Sequence, residues 1–126
     1  ALHGSRAQAA RARGLAAETV AALWLMLKGY RVLGRRVRFH AGSGAGEIDL
    51  VVRRGRTLAF VEVKTRPDLD AAASAITPEQ RRRIARAAEA FLAARPDLGG
   101  LQSRFDAVLV APGRLPRHWP GAWIAE

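Results

Sequence analysis

Runs of helix-forming residues and runs of alternating apolar and polar residues succeed one another along this chain. Residues 6–28 are mostly Ala, Leu, Arg and Glu without proline, which predicts one long helix, and Gly29 stands where its C-cap is expected. From residue 30 to 39 apolar residues alternate with basic ones. This second pattern predicts an edge strand with one solvent-exposed, basic face.

Two apolar, β-branched runs follow and predict a hairpin. Residues 47–52 and 58–64 form its strands, and Arg54-Gly55 marks the turn between them. The glycine-rich segment 41–46 before the first strand resembles a phosphate-binding loop, but no Gly-Lys-Ser/Thr follows it. We therefore interpret it as a flexible lip beside the hairpin.

The remaining segments predict a second helix and two further strands. Thr77-Pro78 is typical of a helix N-cap followed by the first helical position, and this helix is expected to run to about Ala94. Residues 105–111 predict another strand, and the tail around Trp119 and Trp123 predicts a short final one. The predicted order is α-β-β-β-α-β-β, in a single α/β or α+β domain over residues 1–126.

Charge and composition restrict the classes of function. The 126 residues include 21 Lys and Arg against 11 Asp and Glu, a net charge of +10, which favours a polyanionic partner such as nucleic acid, with an anionic membrane surface as the alternative. The absence of cysteine excludes disulfides, iron–sulfur clusters and cysteine nucleophiles, so a metal must bind to oxygen or histidine. No apolar run approaches the roughly 18 residues of a membrane span. Together with the lack of a signal-peptide core, this predicts a cytoplasmic protein.

Acidic residues interrupt the apolar pattern of the predicted hairpin. With its turn at Arg54-Gly55, Glu47 is expected to face Glu62, and Asp49 to face Phe60. One face then carries Ile48, Leu50, Val52, Val61 and Val63. The other carries Glu47, Asp49, Val51, Leu58, Phe60, Glu62 and Lys64. Clustered carboxylates repel one another, so the second face predicts a bound cation between them.

The nature of that cation is open at this point. A hard divalent ion such as Mg²⁺ fits carboxylate oxygens, whereas a cross-strand salt bridge to Lys64 on a solvated face is the alternative. Glu18 lies on the same helical stripe as Leu15, Ala22 and Leu25, within or beside the apolar face. It is either a further acidic group of this cluster or an edge residue paired with a neighbouring arginine such as Arg11 or Arg13.

Taken together, these motifs resemble a known family. The sequences GEIDL at residues 46–50, FVEVKTR at 60–66 and RFD at 104–106, with Glu18 upstream, are similar to uncharacterised protein family 0102. Its members are predicted endonucleases of the PD-(D/E)xK restriction-endonuclease-like superfamily and are distantly similar to Holliday-junction resolvases. The resemblance covers about Gly14 to Trp123. It implies a three-layer core with a mixed central sheet flanked by helices.

The resemblance also implies roles for individual residues. Asp49, Glu62 and Lys64 correspond to the nuclease site, with Glu18 as a further catalytic carboxylate. Mg²⁺, or alternatively Mn²⁺, would be held by Asp49 and Glu62 with help from Glu47, and Lys64 would stabilise charge on the phosphate. The expected partner is nucleic acid, most simply DNA. The residues expected to contact it are Arg35, Arg36, Arg38, Arg66, Gln80, Arg81, Arg82 and Arg83.

Several alternatives stay open from the sequence. A non-catalytic nucleic-acid-binding domain would retain the fold and the basic surface without hydrolysing anything. Gln80, where the family often has lysine, is a site residue or merely the partner of Thr77 in a capping box. Trp119 and Trp123 are expected in the core or at a homodimer contact. His3, His40 and His118 lack metal-ligand spacing and are expected to have structural or surface roles.

Overall fold

Two long helices and five strands make up most of the part of the chain that the structure describes. The computed structural model describes residues 2–39, 44–66 and 76–124. Its elements are α1 (Leu2–Leu27), β1 (Arg31–Val37), β2 (Ile48–Arg54), β3 (Thr57–Thr65), α2 (Pro78–Ala94), a short 3₁₀ turn (Pro96–Leu98), β4 (Gln102–Val110) and β5 (Arg117–Trp123). Apart from the 3₁₀ turn, the elements follow one another as α-β-β-β-α-β-β, with bounds that differ from the predicted ones by a few residues.

The strands form one mixed sheet in the order β1-β2-β3-β4-β5. β3 and β4 are parallel, and the other neighbouring pairs are antiparallel. A parallel pair needs a crossover connection, and α2 lies in the segment that joins β3 to β4. The fold is therefore a mixed α/β fold in which the hairpin β2–β3 lies near the centre of the sheet.

Each face of the sheet is covered by one of the helices. Leu25 of α1 packs in a buried cluster with Leu50 and Val61, whereas Phe91 of α2 packs in a second cluster with Val51 and Phe60. Consecutive residues of β2 and β3 thus contribute to opposite clusters. Because both faces of these strands are buried, their sequences are nearly continuous apolar runs, and a carboxylate at their ends lies against apolar walls.

Local signals set the end of α1 and the start of α2. Gly29 follows α1 with a φ of 92°, a left-handed conformation that favours glycine, and its N–H donates to the Met26 carbonyl. At the start of α2 the Thr77 hydroxyl accepts from the Gln80 N–H, and the Gln80 side chain accepts from the Thr77 N–H. The predicted capping box is confirmed. In the described part of the chain, neither helix is long and apolar enough to cross a membrane.

The predicted register of the hairpin is wrong. Arg54 pairs with Thr57, so the turn consists of Gly55-Arg56, and Val51, not Asp49, faces Phe60. Gly55 has a φ of 61° and occupies the first turn position, which suits a two-residue hairpin turn. This turn shifts the pairing of β3 with β2 relative to the predicted register. Continued by one pair, this register places Asp49 across from Glu62. Asp49 and Glu62 therefore lie directly across from each other, closer than in the predicted register, in which Asp49 faced Phe60.

Ile48 also departs from the predicted alternation. It packs in the α2 cluster with Val51, whereas Leu50 and Val52 pack in the α1 cluster. Ile48 is the first residue of β2 and pairs with Val37, next to Arg36, whose φ of 47° is left-handed. The regular pleat is interrupted at this end of the sheet. Glu47 consequently lies just before β2 and not within it.

Candidate active site

Four acidic side chains and one lysine converge where β2 begins and β3 ends. Carboxylate oxygens of Glu18, Glu47 and Asp49 lie within 4.8 Å of one another. Glu62 interacts directly with the Asp49 carboxyl group, and its Oε1 lies 3.4 Å from Lys64 Nζ. The structure therefore brings together the residues that the sequence analysis assigned to the site. We call these five residues the acidic cluster.

Asp49 is the centre of the acidic cluster. Its Oδ2 accepts a hydrogen bond of 2.7 Å from the Val63 N–H, which ties β2 to β3 at this point. Burial and the neighbouring charge of Glu62 nevertheless raise the pKa of Asp49 to about 7, and Glu47 adds to this effect. One amide donor does not compensate for three neighbouring carboxylates. Asp49 thus holds its proton far more readily than an ordinary aspartate.

The pKa values of Glu62 and Glu18, the other buried carboxyl groups of the acidic cluster, are also raised. Burial raises the pKa of Glu62, although the ammonium group of Lys64 opposes this effect. Burial and the charge of Asp49 raise the pKa of Glu18, against the lowering effect of Arg36. Glu18 is only 8% exposed, so the alternative of a solvent-edge glutamate is wrong. The side chains of Arg11 and Arg13 lie outside the described part of the chain.

Strand β1 and the residue that follows it supply arginines to the rim of the acidic cluster. Arg36 Nε lies 3.7 Å from Glu18 Oε1, and Arg38 Nε lies 2.6 Å from Glu47 Oε2. Both guanidinium groups are largely exposed. Arg35 donates to the Thr19 hydroxyl on α1. These arginines were predicted to contact phosphate, and their pairing with the acidic cluster was not predicted. The left-handed backbone at Arg36 cannot be recognised in a strand sequence that is rich in arginine.

A cavity of about 130 Å³ opens beside the acidic cluster. It lies between the end of the hairpin and the exposed side of α2. Gln80 lines it in addition to capping the helix, so the two interpretations of this residue are compatible. Gly46 also lines it, and a Cβ at this position would lie 3.1 Å from Arg83 Cβ. The complete lining is Gly46, Glu47, Glu62, Gln80, Arg83 and Ile84.

The other residues predicted to contact nucleic acid lie in different settings. Arg82 and Arg83 are exposed on α2, and Arg83 pairs with Glu79 at 3.7 Å. Arg81 is half-buried, and its guanidinium carbon lies 5.9 Å from the centre of a Trp123 ring. Arg66 is half-buried too, with its guanidinium donating to the Thr65 carbonyl. Only the first two present open cationic groups on the helix surface.

A second buried polar group lies on β4, away from the acidic cluster. Asp106 is fully buried and accepts two hydrogen bonds from Arg104, one from the Gly121 N–H and one from His118 Nε2. Because carboxylates only accept and ammonium groups only donate, His118 carries its proton on Nε2, and Nδ1 accepts from Lys28 at 2.5 Å. This network was not predicted from the sequence. Its signal was an aspartate inside an apolar strand.

The tryptophans and histidines are placed as structural groups where the structure describes them. Trp123 is buried and stacks on Phe105 at 5.5 Å between ring centroids, so it belongs to the core. His118 has the structural role expected for it. His40, together with residues 41–43 of the glycine-rich segment, lies outside the described residues, as does the His3 side chain.

Comparison with known proteins gives one consistent answer. The family model described as uncharacterised protein family UPF0102 matches residues 17–110. A UPF0102 protein of Paramagnetospirillum magneticum is 62% identical over 116 residues, which cover 92% of this chain and 90% of that protein. UPF0102 proteins of Methylorubrum extorquens and Caulobacter vibrioides are 56% and 50% identical, over 98% and 94% of this chain and 93% and 92% of those proteins. This chain therefore belongs to the UPF0102 family.

Proposed function

We propose that this protein is a metal-dependent endonuclease that hydrolyses phosphodiester bonds in nucleic acid, with DNA as the expected substrate. The observation that carries this proposal is the acidic cluster itself. A chain with a net charge of +10 collects three further carboxylates around Asp49 and places Lys64 against one of them. A domain that only binds phosphates gains nothing from this concentration of negative charge.

The donor set fits Mg²⁺ or Mn²⁺. Both are hard cations that prefer carboxylate oxygens, and the three closest carboxylates lie near enough to share one ion. Glu18 Oε1 is buried without a hydrogen-bond donor, and Arg36 lies only at ion-pair distance from it. Asp49 would hold the ion together with Glu62, which contacts the Asp49 carboxyl group from β3. Glu18 and Glu47, the other two carboxylates of the close group of three, would complete the site. When bound, such an ion supplies positive charge for the phosphate and lowers the pKa of a water ligand.

Lys64 has a different role in this proposal. Its ammonium group lies beside Glu62 with only 19% of the side chain exposed, so its charge acts in a partly desolvated site. From this position it stabilises negative charge that develops on a phosphoryl oxygen and orients the attacking water. The neighbouring carboxylate holds the amine in place. Replacing Lys64 therefore removes both transition-state stabilisation and part of the phosphate affinity.

The topology supports a restriction-endonuclease-like core. The sheet is mixed, each face is covered by a helix, and the Asp and the Glu-x-Lys motif lie on adjacent strands β2 and β3. This is the arrangement that the resemblance to the PD-(D/E)xK superfamily implies. Fold resemblance by itself does not establish a reaction. The proposal therefore depends on the chemistry of the acidic cluster.

Paired cleavage and binding measurements test the proposal. Labelled DNA and RNA duplexes, branched forms and single strands are incubated with Mg²⁺ or Mn²⁺, and metal binding is followed by calorimetry. Asp49→Ala and Glu62→Ala should abolish cleavage and metal heat but retain or strengthen nucleic-acid binding, because each change removes a charge that repels phosphate. Lys64→Ala should lose both cleavage and some affinity. Asp97→Ala, an exposed carboxylate paired with Arg95, is the matched control and should behave as wild type.

The outcomes separate this function from the alternative. Carboxylate variants that cut as fast as wild type would show that the acidic cluster is not the active site. If wild type binds nucleic acid, cuts no substrate and shows no metal heat, the protein is a non-catalytic binding domain that retains the fold.

A further inference from the structure

The exposed side of α2 forms a second concave surface, separate from the cavity beside the acidic cluster. This groove has a volume of about 380 Å³. Arg86 reaches across it and donates to the Gly44 carbonyl at 3.3 Å. The groove contains one acidic residue, Glu79, which is paired with Arg83. The residues that line this arginine groove are Gly44, Glu79, Arg82, Arg83 and Arg86.

We propose that the arginine groove binds a single strand of nucleic acid next to the bond that is cut. That the strand is a substrate rests on the proposed nuclease activity, whereas strand binding is tested separately below. Three arginines against one glutamate leave the groove positively charged, as a phosphate backbone requires. Arg82 and Arg86 are separated by one helical turn, about 6 Å along the axis, which is comparable with the spacing of neighbouring phosphates on one strand.

The groove adjoins the cavity beside the acidic cluster. Arg83 lines both, with the groove on one side and Glu62 and Glu47 across the cavity on the other. Gly46 lies against α2 at this point, since its N–H donates to the Arg83 carbonyl at 3.1 Å. A strand bound in the groove thus leads toward Glu62. The shape and charge of the groove, and not contacts to bases, would set the path of the bound nucleic-acid strand.

The size of the groove favours a single strand over a duplex. A volume of about 380 Å³ is at the lower end of the range for small-molecule pockets, so it accepts about one nucleotide of a strand. A duplex would touch only the rim with one of its backbones. Substrates with a single-stranded segment beside the cut, such as flaps, overhangs and branched forms, are therefore the class that this surface fits.

Arg81 shows that the groove is a specific part of the helix surface. It follows Gln80 directly in sequence, yet it is half-buried, and its side chain lies toward Trp123. The run Arg81-Arg82-Arg83 in the sequence therefore contains one packing residue and two groove residues. Of the four arginines of α2, only Arg82, Arg83 and Arg86 are expected to contact phosphate.

Fluorescence anisotropy without metal, in EDTA, tests strand binding apart from cleavage. The probes are a labelled oligo-dT and a blunt hairpin duplex, each titrated from low to moderate salt. The variant Arg82→Ala/Arg86→Ala removes two groove charges, and Arg56→Ala/Arg114→Ala removes two exposed charges elsewhere. For a single strand, each lost phosphate contact reduces the steepness of the plot of log affinity against log salt concentration by about 0.7. The groove variant should therefore lose about 1.4 from this slope and about 20-fold in affinity at 0.1 M salt.

The duplex should lose clearly less affinity than the single strand, and the control pair should leave the preference between the two probes unchanged. Arg82→Lys/Arg86→Lys restores the charge and should restore the slope, which excludes a folding defect as the cause. Equal losses for both probes, an unchanged slope, or no binding of oligo-dT by wild type would overturn the proposal. If the groove prediction holds but nothing is cut with Mg²⁺, strand binding stands and the nuclease proposal fails. If cleavage occurs and the groove variant binds oligo-dT as wild type does, the reverse is true.

Discussion

Two aspartates of the same sheet, Asp49 and Asp106, have pKa values that are shifted in opposite directions. Burial and the neighbouring Glu62 raise the pKa of Asp49 to about 7. Burial also acts to raise the pKa of Asp106, but hydrogen bonds from His118 and Arg104 outweigh it and lower that pKa to about 2. The difference does not come from depth, since Asp106 is the more buried of the two. It comes from the partners.

Asp106 is surrounded by donors. Arg104 binds both of its oxygens at 2.8 Å, and the same guanidinium donates to the Tyr30 hydroxyl at 2.6 Å. Asp49 has one amide donor and otherwise faces carboxylates. A buried charge that is fully hydrogen-bonded supports the fold, whereas a buried charge among like charges weakens it. The comparison separates a structural carboxylate from one whose arrangement is retained at a cost to stability.

The largest effect should follow from breaking the satisfied network. Asp106→Ala leaves Arg104 and the buried His118 without their carboxylate partner, and it should lower the free energy of unfolding by about 3 to 5 kcal/mol. Urea denaturation followed by circular dichroism measures this change. Asp97→Ala, which removes an exposed carboxylate, is the control and should leave the midpoint unchanged. A similar midpoint for both variants would show that the Asp106 network contributes little to the fold.

Relieving the repulsion at the acidic cluster should act in the opposite direction. Asp49→Asn removes a charge that disfavours the folded state but keeps a side chain that accepts from the Val63 N–H. At pH 8 and without divalent metal, we expect it to raise the free energy of unfolding by about 1 to 3 kcal/mol, since one unit of pKa corresponds to about 1.4 kcal/mol. The same urea experiment measures the gain. A loss of stability would mean that Asp49 is already compensated by groups of the folded chain.

The smallest effect, on pH dependence, follows from the same two residues. Asp49 binds its proton more tightly in the folded chain than its ordinary pKa of 3.8 allows, so its contribution makes stability fall as pH rises from about 4 to about 7. Asp106 has a lowered pKa in the folded chain, so its contribution is complete above about pH 4 and is lost as pH falls toward 2.

Urea midpoints measured from pH 3 to pH 9 without metal should therefore decline between about pH 4 and pH 7, by about 1 to 2 kcal/mol in free energy of unfolding. Asp49→Asn should flatten that decline and leave the acid side unchanged. A decline of the same size in Asp49→Asn would assign it to other groups.

Much of the fold could be predicted because its signals are local. The threonine and proline before α2, the glycine after α1 and the apolar runs of β2 and β3 each depend on neighbours within a few residues. Glu62 and Lys64 could be placed beside Asp49 for the same reason, since strand alternation brings them to one face. A hairpin register depends on which turn position the glycine occupies, and either arrangement of Gly55 satisfied the pattern.

The order of the elements, the two apolar faces and the identity of the acidic residues could be read from the sequence, because periodicity and capping act over a few residues. Tertiary structure alone decided the partners of those residues. Arg36 and Arg38 meet Glu18 and Glu47 only after β1 packs beside β2 and α1. The pKa of Asp49 likewise depends on burial and on charges from three separate segments, and these arise only when the chain is folded.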